Sequence, residues 1–395
     1  MESVEMVKNI EVKEAITDRN SEFNVKRFRI GTLEIDRPTK VIDAKKLTKE
    51  LFMQEKKLFQ KVLLENSKSL RLESITRVLI ETEDKQIKRV FGFEEWRSEH
   101  PHVLTLTLEF NPYKHLGVPE KLSGFFDYYY NFSDPILFVP NLKIERYDQK
   151  TKEKIIITNL DDYLKFVNES YHLLDYKNKK PIFVPVSLKL GIDDIKKLAQ
   201  EYIKKEYFTI WLDFEGSAIT KPKIARIRAF LREFDKKGRT TDIIIYSTNI
   251  KREIISNIKT EKSPSSDILA SIIGSNLIGV NREPPRPISV PLSKEDPREL
   301  WKHKARVFDP TTYYYLKVEA SNYNTEKRAQ LMDQKYNILF NSKLLDDELI
   351  SQTNHFLEES TIVNYITEKT MIRDYKKGEL IKDLFQKEEK ITKWF

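Results

Sequence analysis

Short apolar runs, each followed by a polar residue, recur along most of this 395-residue chain. They are rich in β-branched and aromatic residues, which is typical of buried β-strands. The run FTIWLD, for example, is followed by a turn with Gly216 and then by a basic helical pattern. Runs of this kind occur at residues 38–43, 103–110, 136–141, 182–187, 208–213, 242–247, 277–281 and 305–309.

Helical patterns separate the last five runs. One places Ile195 and Leu198 on a common face, and the next does the same with Ile224 and Ile227. Strands that alternate with helices form parallel sheets, and a set of eight strands can close into a barrel. The sequence therefore predicts a (β/α)8 TIM-type barrel over residues 38–318. An open doubly wound sheet with extra elements is the alternative.

The segments outside these runs are less regular. Residues 1–37 form an N-terminal segment in which 1–20 is polar and is expected to be weakly structured. Residues 23–35 alternate in polarity around Gly31, which predicts a β-hairpin. Residues 319–395 are charged and helical in pattern. We expect them to form either a C-terminal helical domain or a helical layer packed on the barrel.

Two stretches inside the barrel region carry no clear strand signal. Residues 44–80 are predicted to be mainly helical. Residues 111–135, which contain the aromatic cluster FFDYYY, are predicted to form a loop.

The composition limits the classes of chemistry. The chain has no cysteine, which excludes disulfides, thiol catalysis and cysteine-ligated metals. It has six histidines, none paired at i, i+4, and the pair Gly274 and Gly279 is followed by Val280 rather than by a P-loop Lys. We therefore expect neither a metal nor a cofactor.

The same composition suggests a setting for the protein. The N-terminus has no signal-peptide pattern and the chain has no run of 18 apolar residues, so a cytoplasmic location without membrane insertion is expected. Abundant Lys, Glu and Ile without Cys fits a thermophile. The net charge of +8 favours a polyanionic partner.

Candidate chemistry lies where the predicted strands end, because barrel enzymes build their sites there. Asp213 and Asp309 are the candidate catalytic pair, a general acid and a nucleophile in an order that the sequence leaves open. Paired carboxylates of this kind serve glycosyl transfer. A Mg²⁺ site made from these carboxylates and Asn281 is a weaker alternative. The candidate substrate-binding residues are Glu215, Ser247, Asn249 and Asn281.

Basic residues cluster in two places and could hold phosphates along a nucleic acid. The clusters include Lys221, Lys223 and Arg226 in the first group and Arg282, Arg286 and Lys304 in the second. The aromatic run 313–315 could add a base-stacking surface. The alternative is a solvated helix face with tyrosines packed on the barrel rim.

Two short segments resemble the tRNA-guanine transglycosylase family. They are FRIGTLEIDRPTKVID at 28–43, which is similar to the family's first hairpin and strand, and VFDPTT at 307–312. The resemblance implies a barrel that exchanges guanine for a deazaguanine base with two aspartates, and it extends to the DNA-modifying relatives. The chain has neither the cysteines of the family's zinc site nor its Asp-Ser-Gly-Gly loop.

These patterns lead to three functional hypotheses. The first is a base-exchange or glycosyl-transfer enzyme that acts on tRNA or DNA. The second is a non-catalytic nucleic-acid-binding or assembly protein on an enzyme-derived barrel, and the third is a carboxylate-based hydrolase of sugars. The oligomeric state stays open.

Overall fold

The computed structural model describes residues 5–7, 10–59, 62–80, 83–94, 96, 99–117, 119–148, 151, 153–177, 179–254, 261–282, 304–319, 330–374 and 384–385. This part of the chain has a mixed α/β fold whose central element is a six-stranded parallel sheet that forms half a barrel. None of the helices found here combines the length and the apolar character needed to cross a bilayer.

The strands of the described residues are β1 (Glu5–Val7), β2 (Ile10–Thr17), β3 (Asn24–Ile30), β4 (Leu33–Ile35), β5 (Thr39–Lys40), β6 (Ile42–Asp43), β7 (Leu64–Leu70), β8 (His102–Leu108), β9 (Leu137–Phe138), β10 (Asn141–Leu142), β11 (Glu145–Tyr147), β12 (Lys154–Ile156), β13 (Ile182–Ser187), β14 (Thr209–Asp213), β15 (Ile244–Thr248), β16 (Ile250–Lys251), β17 (Lys262–Pro264), β18 (Leu277–Ile278), β19 (Asn281–Arg282), β20 (Lys304–Asp309) and β21 (Tyr314–Glu319).

The α-helices of the described residues are α1 (Lys49–Glu55), α2 (Leu72–Ile80), α3 (Asp84–Phe91), α4 (Pro112–His115), α5 (Ser123–Asn131), α6 (Leu160–Leu174), α7 (Ile192–Lys204), α8 (Lys221–Asp235), α9 (Leu269–Ile272), α10 (Gln334–Glu359), α11 (Val363–Thr367) and α12 (Thr370–Asp374).

The described residues contain two larger parallel sheets. The six-stranded sheet has the order β5-β18-β15-β14-β13-β9, and a four-stranded sheet has the order β10-β8-β7-β6. Only Val41 separates β5 from β6, and only two residues separate β9 from β10. The segment 39–43 therefore pairs with β18 on one side and with β7 on the other. In the same way, the segment 137–142 pairs with β13 and with β8.

The strands at the centre of the six-stranded sheet are buried on both faces. Every residue of β13, β14 and β15 is buried, which explains why they read as continuous apolar runs rather than as alternating ones. Helices α7 and α8 pack against each other beside them. They bury the predicted apolar positions Ile195, Leu198, Ile224 and Ile227.

The predictions for two strand regions need correction. Leu64–Leu70, predicted to be helical, is the parallel strand β7 between β6 and β8. Its sequence LENSKSL is polar because several side chains hydrogen-bond inside the fold. The run 305–309 is a strand, but it pairs antiparallel with β21 and adds no strand to the parallel sheets.

Two further segments are more regular than their sequences suggested. The hairpin around Gly31 is present as β3 and β4, but β2 (Ile10–Thr17) also pairs with β3 where weak structure was expected. FFDYYY lies in helix α5 rather than in a loop. Four of its five aromatic side chains are buried, and Phe125 stacks on Phe91 of α3, which explains the aromatic content of this helix.

The long helix α10 packs beside β5, the first strand of the six-stranded sheet. Asp346 on this helix accepts two hydrogen bonds from the Arg37 guanidinium at 3.1 Å each, and both side chains are buried. The backbone N–H of Lys40 donates to the same carboxylate at 3.2 Å. The described C-terminal helices thus contact the sheet through a buried ion pair.

Candidate functional site

A cavity among the described residues lies at the carboxyl ends of the parallel strands. It has a volume of about 370 Å³. We call it the central cavity, and it is lined by thirteen residues that include Asp213, Glu215, Asn249, Asn281 and Arg282. Cavities at this end of a parallel sheet are the usual location of ligand sites.

Asp213, the last residue of β14, is buried and accepts four hydrogen bonds. One carboxylate oxygen accepts from Thr107 Oγ1 at 2.8 Å and from Asn141 Nδ2 at 3.0 Å. The other accepts from the backbone N–H of Glu215 at 2.9 Å and from Asn249 Nδ2 at 3.0 Å. The donors come from four chain segments, so the sheets themselves hold this carboxylate in one orientation.

The two side-chain amides that contact Asp213 are each held in place by a hydroxyl group. The hydroxyl of Tyr163 donates to Asn141 Oδ1 at 2.8 Å, and Ser67 Oγ donates to Asn249 Oδ1 at 2.9 Å. Each amide oxygen is therefore engaged, and each NH₂ group points to Asp213. Asn249 has a φ of 55°, an unusual value that asparagine tolerates better than most residues.

Glu215 lies two residues beyond Asp213 in a turn, and its own φ is 49°. Its Oε1 accepts a hydrogen bond from Ser187 Oγ, at the end of β13, at 2.7 Å. Burial raises the pKa of Glu215 to about 7, and the negative charge of Asp213 contributes. The hydrogen bond from Ser187 and the cations Lys189 and Lys223 oppose this rise in pKa. Near neutral pH the cavity thus holds a carboxyl group that can donate or accept a proton.

The raised pKa of Glu215 gives a pH-dependent stability. The folded chain holds this proton more tightly than the unfolded chain, so the stabilisation is fullest below about pH 4.5 and is lost as the pH rises to about 7. Glu215→Gln cannot ionise. Relative to wild type, its free energy of unfolding is expected to increase by about 2 kcal/mol between pH 5 and pH 8.

Urea unfolding at both pH values measures this difference. Ser187→Ala serves as the comparison because it removes the hydrogen bond to Glu215 and leaves Glu215 able to ionise. A difference between wild type and Glu215→Gln that stays constant with pH would show that Glu215 titrates normally.

Glu65 is a second buried carboxylate, which the sequence interpretation missed. It accepts from Thr105 Oγ1 and Thr248 Oγ1 at 2.6 Å each. Its other oxygen accepts from the Tyr246 hydroxyl at 2.8 Å and from the Val280 N–H at 2.7 Å. The missed signal is an acidic residue in LENSKSL, which becomes informative only when that segment is recognised as a strand.

Close packing at Glu65 also explains a glycine. A Cβ atom on Gly279 would lie 2.2 Å from Glu65 Oε2 and 2.8 Å from a ring carbon of Tyr246. Glycine is therefore required there for the carboxylate to reach the neighbouring strands.

The structure brings together only part of the predicted site. Asp213, Glu215, Asn249 and Asn281 line the central cavity. Asn281 also donates to Asp267 Oδ2 at 2.5 Å.

Two predicted residues lie elsewhere. Ser247 is buried against the Ser275 hydroxyl at 2.5 Å and is absent from the cavity lining. Asp309 caps its own turn, where it accepts from the Thr311 N–H at 3.0 Å and from Thr312 Oγ1 at 2.5 Å. It is also absent from the lining, because its strand belongs to the antiparallel sheet. Among the predicted carboxylates, Asp213 and Glu215 thus share the cavity lining, and Asp309 does not.

The predicted basic residues are also divided. Lys221 is exposed at the first turn of α8, whereas Lys223 is buried. Burial lowers the pKa of Lys223 to about 8, with Lys189 adding to the effect. Arg226 Nε donates to the Leu190 carbonyl at 2.9 Å. Lys223 is therefore not on an open surface, and the Nε of Arg226 is already engaged by a protein carbonyl.

The second basic group is described only in part. Arg282 lines the central cavity. Lys304 begins β20 and is described by its backbone, and Arg286 lies outside the described residues. The tyrosines nearby do not form an exposed stacking surface: Tyr313 and Tyr315 are buried and donate to Glu348 and Asp267.

Within the described residues, no group of three or more His, Asp or Glu side chains is arranged to hold a metal ion. No protein-family model matches the chain, and no curated protein matches it either.

Proposed function

We propose that the two parallel sheets form one closed (β/α)8 TIM-type barrel. The proposal rests on strand pairing, because the segments 39–43 and 137–142 each belong to both sheets. Read in chain order, the paired segments are 39–43, β7, β8, 137–142, β13, β14, β15 and β18, and β18 pairs again with β5. The central cavity then stands at the mouth of this barrel.

We propose further that the protein is a glycosyl-transfer enzyme that releases or exchanges a base of tRNA or DNA. The observation that carries this function is the neighbouring carboxyl groups of Asp213 and Glu215, two of the three that line the central cavity. Asp213 is held by four donors, while Glu215 has a pKa raised to about 7. A carboxyl group with a raised pKa beside a second, firmly hydrogen-bonded carboxylate is typical of acid-base and glycosidic chemistry.

The two carboxyl groups would have different roles. Asp213 would face the anomeric carbon and stabilise the positive charge that develops on the sugar. Glu215 would donate its proton to the departing base as the C–N bond breaks and its electron pair moves to the base nitrogen. An incoming base would then attack the anomeric carbon and return a proton to Glu215, which restores the starting state.

A nucleic acid is the substrate class that the charges favour. The net charge is +8, and Lys45, Lys68, Lys143 and Arg282 line the cavity together with its carboxylates. The cationic side chains of the cavity would bind the phosphates of a polymer, while its carboxyl groups would face one sugar inserted between them. The resemblance to the transglycosylases at 28–43 points to the same chemistry.

One observation favours the non-catalytic alternative. All four hydrogen bonds to Asp213 come from protein groups, so this carboxylate could serve only to join the strands. Under this alternative the protein binds nucleic acid and leaves its bases in place.

The proposed function is tested by incubation with unfractionated tRNA, single-stranded DNA and duplex DNA, with and without isotopically labelled guanine. Mass spectrometry of free bases and of digested polymer detects release and exchange. We expect release or label incorporation with one polymer class, and binding that weakens as salt increases. Salt-dependent binding without release would support the alternative, and neither would contradict both.

A further inference from the structure

Arg282 differs from the other cations of the central cavity in its contacts. It is exposed and ends β19, whose pairing with β16 fixes its backbone. Within the described part of the chain, its guanidinium makes no hydrogen bond or ion pair, although it carries five N–H donors. Lys68 donates to the Val90 carbonyl at 2.7 Å, and Lys143 lies 3.6 Å from Glu109.

The turn after Asp213 is shaped to accept the Arg282 side chain. Gly216 has a φ of 75°, and its N–H donates to the Asn249 carbonyl at 2.8 Å. A Cβ atom on Gly216 would lie 2.4 Å from Cδ and 3.0 Å from Nε of Arg282. The missing side chain therefore lets Arg282 lie across the turn that carries Glu215.

Arg282 is not needed to neutralise the carboxyl groups below it. The cations that lower the pKa of Glu215 are Lys189 and Lys223, and four donors already contact Asp213. An exposed guanidinium beside this acidic floor has a geometry that suits two oxygens of an anion at once.

We infer that Arg282 binds a phosphate group of the substrate, next to the sugar that occupies the cavity floor. This inference rests on the proposed function, because it assigns the group that flanks the reacting sugar. The phosphate belongs either to a free nucleotide or to the backbone of a polymer. Gly216 is the positioning residue for Arg282, since any side chain at 216 displaces it.

The test compares Arg282→Gln with Arg19→Gln, which removes the same charge from an exposed site between β2 and β3 outside the cavity lining. Fluorescence anisotropy measures the Kd for labelled 12-nucleotide single-stranded DNA and RNA. Competition with guanosine 5′-monophosphate, guanosine and inorganic phosphate separates the two sources of phosphate. Gly216→Ala provides a second variant in which the arginine is intact, and circular dichroism checks that each variant is folded.

We expect Arg282→Gln to weaken oligonucleotide binding by roughly 10- to 100-fold and Arg19→Gln by less than about twofold. Gly216→Ala should weaken it by roughly tenfold. Competition by the monophosphate but not by guanosine assigns a nucleotide phosphate, and competition by neither assigns the polymer backbone.

Equal losses in Arg282→Gln and Arg19→Gln, or no binding by wild type, would overturn the inference. Base release does not enter this measurement. A protein without base release can therefore still confirm phosphate binding by Arg282, and an active enzyme can still refute it.

Discussion

Asp213→Asn is expected to lower the rate of base release or exchange by roughly 10²- to 10⁴-fold. The substitution removes the negative charge that would stabilise the developing positive charge on the sugar. It also turns an NH₂ group toward donors, because Thr107, Asn141 and Asn249 all donate to the present carboxylate. Initial rates under saturating polymer, measured by mass spectrometry of the free base, give the size of the effect.

The matched control for this substitution is Asp193→Asn, since Asp193 is exposed on α7, pairs with Lys196 and is not among the residues that line the cavity. It should keep the wild-type rate within about twofold. Oligonucleotide binding by Asp213→Asn should stay within about threefold of wild type, because phosphate recognition lies elsewhere in the cavity. Retained base release in the folded Asp213→Asn protein would contradict the catalytic role proposed for Asp213.

Asp309→Asn distinguishes the catalytic pair predicted from the sequence, Asp213 with Asp309, from the pair proposed from the structure, Asp213 with Glu215. Asp309 caps its own turn through Thr311 and Thr312, so its loss should change the rate little. A rate loss as large as that of Asp213→Asn, in a folded protein, would restore the original pairing.

Glu65→Ala is expected to lower the free energy of unfolding by about 3–5 kcal/mol. Removal of the Glu65 carboxylate leaves buried donors without an acceptor, among them the hydroxyls of Thr105, Thr248 and Tyr246. Each such unsatisfied group costs about 1–3 kcal/mol, although the relaxation of hydroxyls toward other acceptors reduces the sum. Guanidinium chloride unfolding followed by circular dichroism measures the loss.

Two variants place this loss in context. Glu358→Ala removes an exposed carboxylate in the last turn of α10 and should change stability by less than about 0.5 kcal/mol. Glu65→Gln keeps one acceptor oxygen, so its loss in free energy of unfolding should lie between those of Glu65→Ala and Glu358→Ala. A loss for Glu65→Ala no larger than that for Glu358→Ala would mean that the donors find other partners.

The part of the fold that follows from hydrophobicity was predictable. FTIWLD becomes a fully buried strand, and Asp213 stands at its carboxyl end, because an apolar run buried on both faces has to stop where the sheet meets the cavity. Asn249 and Asn281 reach the cavity for the same reason, each directly after or within a short strand segment.

The rest depends on partners that lie far away in sequence. Periodicity marks 305–309 as a strand but does not say that β21 rather than a parallel strand pairs with it. β7 shows the opposite failure. Its polar sequence does not indicate a buried strand, yet the four donors to Glu65 come from β8, from β15 and from Val280, which lies between β18 and β19. Ser247 follows the strand-end rule, but its hydroxyl faces Ser275 instead of the cavity.

The ion pair between Arg37 and Asp346 joins residues 309 positions apart, at the first strand of the six-stranded sheet. During synthesis the strand at 39–40 is among the earliest to leave the ribosome, but its carboxylate partner on α10 follows only after β18 and β21 have been made. Native contacts between distant residues form late because the intervening chain must first be ordered. The contact between the first strand and α10 can therefore form only after synthesis has passed residue 346, later than the pairing of that strand with β18 becomes possible.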